Sequence, residues 1–365
     1  MKKIITLLLT FCIMLTSISV VSVNAKKKVY SYNSKTKKLT ISIKGKMQYD
    51  NENAPWIHIK QPNHIVFKSG ITSIAKAGFE FSVEGNTGHR KNYYDRIKTV
   101  KLPNTIKKIN SYAFANCNKL NEINIPKSVK SIGDSAFEDC KNIKKITLPK
   151  SAKTIGASAF AGCSKLKKIT IPKGNQKISS GLLYGCKKLK TVKIYKGIEK
   201  IEHEAFEFCK QLNSIRLPSS VKKIGYSAFK DCKKIKKINL PDSIKEIGEG
   251  AFWDCYSLKS IKLPKELKTI KNFTFFSCKK LNKVTIQNQV TKIGNFAFAD
   301  CRNLKIVTIP KSVTKIGTRA LGYKYSPTDD DDGRYLCIKG FTIKGYKGTA
   351  AEKYAKKNGF KFVTI

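Results

Sequence analysis

The chain has 365 residues, and 72 lysines and arginines against 25 aspartates and glutamates give a formal net charge of +47. No strongly apolar span follows the first 25 residues, which excludes a polytopic membrane protein. A bias toward lysine does not by itself suppress acidic residues, so the imbalance points to an anionic partner, with composition alone as the competing account.

Residues 1–25 read as a secretory leader. Lys2 and Lys3 precede an apolar run over residues 4–14, and Val23-Asn24-Ala25 is a small-residue cleavage site. A membrane anchor is the alternative, but the run is short and polar residues follow it. Cys12 lacks the preceding small residues of a lipoprotein signal, and the terminal Phe362-Val363-Thr364-Ile365 shows no wall-sorting motif. The mature chain is expected to be secreted or held non-covalently at a cell surface, without a transmembrane segment. Loss of Lys2 and Lys3 leaves it at +45.

The body of the chain is periodic. Cys117, Cys140, Cys163, Cys186, Cys209, Cys232, Cys255, Cys278 and Cys301 are each 23 residues apart, a period that marks a solenoid, propeller or array. The surrounding residues keep the register: Ile132-Gly133, Ala136-Phe137, Cys140, Ile143, Ile146, Leu148 and Pro149 recur as Ile155-Gly156, Ala159-Phe160, Cys163, Leu166, Ile169, Ile171 and Pro172. The period-two ending suits a short strand, and the proline after it ends the ladder. Gly133, Gly156, Gly225, Gly248, Gly294 and Gly317 share one turn position. Asn110, Ser179, Glu202 and Lys271 stand there in other coils, so the backbone conformation is not one restricted to glycine. The A-F-x-x-C stretch is read as one helical turn on the opposite side. Strands stacked about 4.8 Å apart make a sheet of roughly 55 Å, a surface suited to a macromolecule.

Two segments break the period. Ile71 and Ile74 match Ile106 and Ile109 at a distance of 35, which places a 12-residue insertion within residues 80–96. It carries His89, Arg90, Tyr93 and Tyr94 and is a candidate binding loop; an irregular junction is the alternative. Residues 322–335 hold Asp329-Asp330-Asp331-Asp332-Gly333. Set on an EF-hand register, Thr328 and Lys339 occupy ligand positions, so that motif fails and a solvated acidic loop is expected. Thr349 is placed to cap a helix over residues 350–358 that ends at Gly359 and covers the last coil.

These residues resemble the BspA-like, or Treponema-type, leucine-rich repeat family. Lys38-Leu39-Thr40-Ile41-Ser42-Ile43 with Ala54-Pro55-Trp56 looks like that family's N-terminal cap, and Phe341-Thr342-Ile343-Lys344-Gly345-Tyr346 with Gly348-Thr349-Ala350-Ala351 looks like its C-terminal cap. The resemblance implies an α/β leucine-rich repeat solenoid of about 23-residue coils with a parallel sheet on the concave face and a cap at each end. It divides the chain into leader 1–25, β-rich cap 26–64, solenoid 65–321 and acidic loop with helical cap 322–365. Members of the family are surface or secreted proteins implicated in adhesion to varied partners.

The cysteine ladder reads as buried free thiols, each a small hydrophobe with a weak donor. Two equivalent neighbours per cysteine give no pairing preference, and four ligands do not converge for zinc. Outward strand positions form three basic columns: Lys98, Lys144, Lys167, Lys190, Lys236, Lys259 and Lys305; Lys101, Lys193, Arg216 and Lys262; and Lys145, Lys168, Lys237 and Lys283. Like charges so stacked repel, and a bound polyanion relieves the repulsion. Sequence-specific nucleic-acid reading is not expected, since no DNA- or RNA-binding motif is present. His58, His64, His89 and His203 are scattered, and no phosphate loop, nucleophile elbow or H-E-x-x-H occurs, so neither catalysis nor a cofactor is expected. The expectation is a monomeric interaction module whose basic face holds an anionic macromolecule or an acidic surface or host protein. Shape- and loop-based recognition, or attachment to the cell's own envelope, are the alternatives.

Overall fold

The computed structural model describes residues 29–49, 53–56, 59, 62–79, 96–326 and 334–365. The leader, the loop candidates His89, Arg90, Tyr93 and Tyr94, and the four aspartates Asp329, Asp330, Asp331 and Asp332 lie outside the described residues. The rest is a parallel-sheet solenoid with about 23 residues per turn, as the periodicity and the resemblance implied.

A typical coil has three sides. The first is the expected strand, as in Lys168–Thr170, Thr191–Lys193 and Ser260–Lys262, with the central Ile or Val buried and polar residues outward. β-Branched residues suit this half-buried, pleated surface. Coils pair in parallel one period apart, with Ile169 beside Val192 and Val192 beside Ile215. The 35-residue offset also pairs in register, Ile65 with Val100 and Ile74 with Ile109. The strands on either side of the insertion therefore keep the register of the stack.

Proline opens a turn at the first corner. Its carbonyl accepts the amide three residues on, Val129 N to Pro126 O at 3.1 Å and Val221 N to Pro218 O at 3.1 Å. The second side follows. It is a row of two-residue strands such as Lys177–Ile178, Lys200–Ile201 and Lys223–Ile224, paired in parallel. This row was not expected, because two residues are too few to show an alternation.

The third side corrects the expected helical turn. Two residues per coil, four apart, take left-handed φ: Ser135 and Asp139 at 51° and 53°, Glu204 and Phe208 at 57° and 58°. No α-helix tolerates that alternation. The amides bond instead to the next coil, Phe114 N to Ala136 O and Phe137 N to Ala159 O, both at 2.9 Å. Seven of the nine positions before a cysteine hold Asn116, Asp139, Gly162, Gly185, Asp231, Asp254 and Asp300, residue types that accept left-handed backbone, and Ser277 holds an eighth at φ 57°. Phe208 is the bulky exception. The glycine after the second strand has ordinary φ, as expected, and serves close approach. A Cβ on Gly225 would lie 2.6 Å from the carbonyl carbon of Glu202 and the nitrogen of His203.

The interior is a stack of like upon like. Phe206, Phe229, Phe252 and Phe275 are fully buried, with successive ring centroids 5.1, 5.4 and 5.3 Å apart and nearly parallel planes. Leu183 interrupts the ladder between Phe160 and Phe206. All nine repeat cysteines are buried free thiols. Each Sγ–H donates to a carbonyl of the preceding coil, Cys140 to Phe114 at 3.1 Å and Cys209 to Leu183 at 3.2 Å.

At the start, Tyr30–Asn33 and Lys38–Ile41 form an antiparallel hairpin whose second strand pairs in parallel with His64–Phe67. Trp56 is buried against Tyr30, Tyr49 and Phe79. At the far end, an antiparallel hairpin of Tyr323–Ser326 and Arg334–Cys337 flanks the acidic segment. Helix Ala350–Lys357 begins at Thr349 as expected, but Thr349 makes no side-chain cap. Its hydroxyl donates to Tyr346 O at 2.6 Å, while Glu352 accepts the Gly348 amide at 2.7 Å. The helix closes the last coil through Tyr354, whose hydroxyl accepts from Leu321 N and donates to Leu321 O. A final strand, Lys361–Thr364, extends the sheet beside Thr342–Gly345.

Candidate interaction surface

The three sides carry different chemistry. On the first, Lys98, Lys101, Lys144, Lys145, Lys167, Lys168, Lys190, Lys193, Arg216, Lys236, Lys237, Lys259, Lys262, Lys283 and Lys305 are all exposed. Among the described residues none of the fifteen makes a salt bridge. Period two turns the Ile and Val inward and these groups outward, and parallel register aligns them coil upon coil. The regular ladder lapses at residues 144–149, and at 236–241 it shrinks to a bridge between Lys237 and Ser260. Those are the coils of Lys144-Lys145 and Lys236-Lys237.

Among the described residues, hollows lie along this side. One, of about 940 Å³, crosses four coils. Lys145, Lys150, Lys168, Lys173, Lys193 and Arg216 line it with Thr147, Thr170, Thr191 and Ser214, and no carboxylate does. Leu148, Ile194 and Tyr195 supply apolar lining. Tyr195 stands where Pro172 and Pro218 stand in neighbouring coils. The ammoniums of Lys193 and Lys173 sit 4.9 and 5.7 Å from its ring centroid. That is cation–π distance, and an attraction of about 0.5–1 kcal/mol favours both charges beside the ring. Other hollows, about 860 and 320 Å³, are bounded by Lys127 with Lys150 and by Lys237 with Lys262 and Lys283.

The second side is also basic, which the sequence reading missed with the strand row itself. Lys108, Lys177, Lys200, Lys292 and Lys315 are exposed, and Lys177, Lys200 and Lys223 are direct cross-strand neighbours. The available signal was a lysine before the isoleucine at this position in many coils, as in Lys177-Ile178, Lys200-Ile201 and Lys292-Ile293. This side is partly neutralised. Glu246 accepts from Lys271 at 2.6 Å and Lys223 at 2.9 Å, and those hydrogen bonds hold its carboxyl below the usual range. Glu199 pairs with Lys222 at 3.1 Å.

Many other carboxylates of the coils sit on the turn side, and some pair with cations there. Glu207 meets Lys230 at 3.0 Å, and Asp300 meets the Arg302 Nε at 2.7 Å. Burial raises the Glu207 carboxyl against the opposing pull of Lys230. Trp253, Phe273 and Phe296 stack along this side, with Lys230 over Trp253 at 5.2 Å. The thiols beneath are pushed well up, chiefly by burial. His203 lies on the surface and accepts the Tyr226 amide at 2.9 Å, while His64 bonds Thr99 at 2.9 Å. Among the described residues no three His, Cys, Asp or Glu side chains group to hold a metal.

These features define a leucine-rich repeat interaction scaffold. The chain belongs to the BspA type leucine-rich repeat family, whose repeat model matches residues 88–213 and 199–326. No curated protein sequence matches it. A leucine-rich repeat protein of Bacteroides ovatus superposes with a TM-score of 0.61 at 22% identity, covering 92% of this chain and 97% of that one. A leucine-rich cell surface protein of Faecalibacterium prausnitzii gives 0.51 at 22% identity over 86% of each chain. The pneumococcal vaccine antigen PcpA gives 0.53 at 19% identity over 90% of this chain and 94% of its own. At such identities the likeness is one of fold. Among the described residues no helix is long and apolar enough to cross a membrane.

Proposed function

We propose that this is an exported, monomeric adhesion module that holds an anionic macromolecule along the first, basic side of its solenoid. The carrying observation is the 940 Å³ hollow, with six cations and no carboxylate in its lining. Aligned, unpaired charges raise the local concentration of a polyanion, and many modest contacts along one rigid surface add up to firm attachment. The leader over residues 1–25 supports export, and the cell-surface description of the Faecalibacterium protein supports a surface or secreted location. In this reading residues 26–64 and 322–365 cap a solenoid over 65–321. The work of the chain is binding rather than catalysis, in keeping with its family's fold.

The test is binding of the mature chain to anionic wall polymers, sulfated glycans, duplex DNA and a neutral polysaccharide, at low salt and at about 0.15 M. Retention of at least one polyanion at the higher salt, with none of the neutral polymer, supports the reading. Loss of all binding at that salt refutes it.

A further inference from the structure

We propose that the hollow over residues 145–216 is a subsite for an acidic polysaccharide, a chain whose sulfate or carboxylate groups are separated by hydroxyl-bearing stretches. The proposal rests on the basic-side reading above and specifies its ligand. Its basis is the arrangement of charge within the hollow. On one edge of the strands, Lys145 and Lys168 are followed by Thr191 and Ser214. On the other edge the order is reversed, with Thr147 and Thr170 followed by Lys193 and Arg216. Along the strand edges cations thus occupy one diagonal and hydroxyls the other, across about 14 Å of stacked strands, and Lys150 and Lys173 complete the six cations in the turns after Thr147 and Thr170.

A ligand crossing that diagonal meets a cation pair, then a second pair, with neutral donors and acceptors alongside. Polyphosphate, with acceptors only, has no donor for the lone pairs of the threonine and serine hydroxyls, and a regular nucleic-acid backbone spaces its charge without regard to them. A glycan uses both: its anionic groups meet the cations and its hydroxyls exchange hydrogen bonds with the threonines. Tyr195 acts as a positioning residue. Its ring holds the Lys173 and Lys193 ammoniums beside the hollow, so less freedom is lost when an anion binds. Leu148 and Ile194 offer apolar surface to the carbon face of a sugar ring.

The experiment titrates the mature chain with a heparin-derived octasaccharide, with polyphosphate of matched charge and with a single-stranded oligonucleotide at about 0.15 M salt. Three double variants accompany it: Thr147→Val with Thr170→Val, Lys168→Gln with Lys193→Gln, and Lys237→Gln with Lys262→Gln. The octasaccharide is expected to bind about tenfold tighter than either other polyanion. The threonine pair should weaken the octasaccharide about fivefold or more and leave polyphosphate unchanged. The hollow's lysine pair should cost about tenfold, and the remote pair less than about twofold. Equal or tighter binding of polyphosphate or oligonucleotide, or no effect of the threonine pair, overturns the glycan subsite while the basic side stands. Failure of every polyanion to bind overturns both. Circular dichroism of each variant confirms the solenoid is intact, so a loss of binding is read at the surface.

Discussion

Phe229 offers the sharpest test of how the coils are held together. Its ring is fully buried and lies between Phe206 at 5.1 Å and Phe252 at 5.4 Å, with planes within 12° and 1° of parallel. Truncation of a buried Phe to Ala costs about 3–5 kcal/mol through lost transfer energy and the cavity left behind. Two stacked partners place Phe229→Ala at the upper end, since ring pairs add roughly 0.5–1.5 kcal/mol each beyond area. The chain also contains its own control. Leu183 occupies the same ladder position between Phe160 and Phe206, fully buried. Phe229→Leu keeps most of the apolar volume and loses both ring pairs, so it should cost about 1–3 kcal/mol, less than Phe229→Ala. The assay is urea unfolding of the mature chain, read as the shift in midpoint at constant slope. If Phe229→Ala lost less than about 1 kcal/mol, or no more than Phe229→Leu, the stacked ladder would not be what joins the coils.

Three further outcomes follow from the same coordinates. In the folded mature chain only the exposed Cys337 should react with a disulfide thiol reagent, since the nine repeat thiols are buried; unfolding should expose all ten. Glu246 is held below its ordinary range, so it contributes stability above the unfolded carboxylate value, lost as pH falls through the folded one. Glu246→Gln should then lower the melting temperature modestly at neutral pH, the gap closing below about pH 4, as thermal melts across pH will show. Gly225→Ala should destabilise by about 1–3 kcal/mol in urea titration, because the added methyl meets the backbone of the coil below.

The period of 23 was legible because identical coils must stack like on like, and Cys, Phe and Ile repeat where the interior repeats. The first strand row could be read from its alternation, and so the fifteen cations of that side were placed outward before any coordinates. The second row could not, because Lys177–Ile178 and its counterparts are only two residues long. The turn side was misread as helical because A-F-x-x-C has helical spacing. The contrary signal was the Asn, Asp or Gly before seven of the nine cysteines, as at Asn116, Asp139 and Gly162, which marks left-handed backbone. Thr349 shows the limit of local rules: the cap position was right, but its hydroxyl bonds Tyr346 and leaves Glu352 to serve the turn. Tyr195 in a proline column was visible in the sequence, but its meaning required Lys173 and Lys193 to be brought over its ring.

The measurement that bears most directly on the basic side compares two variants of equal net charge. One replaces Lys144, Lys167, Lys190 and Lys236 on the first side with glutamine, and the other replaces Lys108, Lys177, Lys200 and Lys292 on the second. Affinity for the best-bound polyanion is measured against salt for both. If the first side is the binding surface, its variant should lose about tenfold or more at 0.15 M salt and show a shallower salt dependence, while the other changes about twofold. Equal losses in the two variants would mean that net charge alone attracts the polyanion and that no particular face of the solenoid binds it.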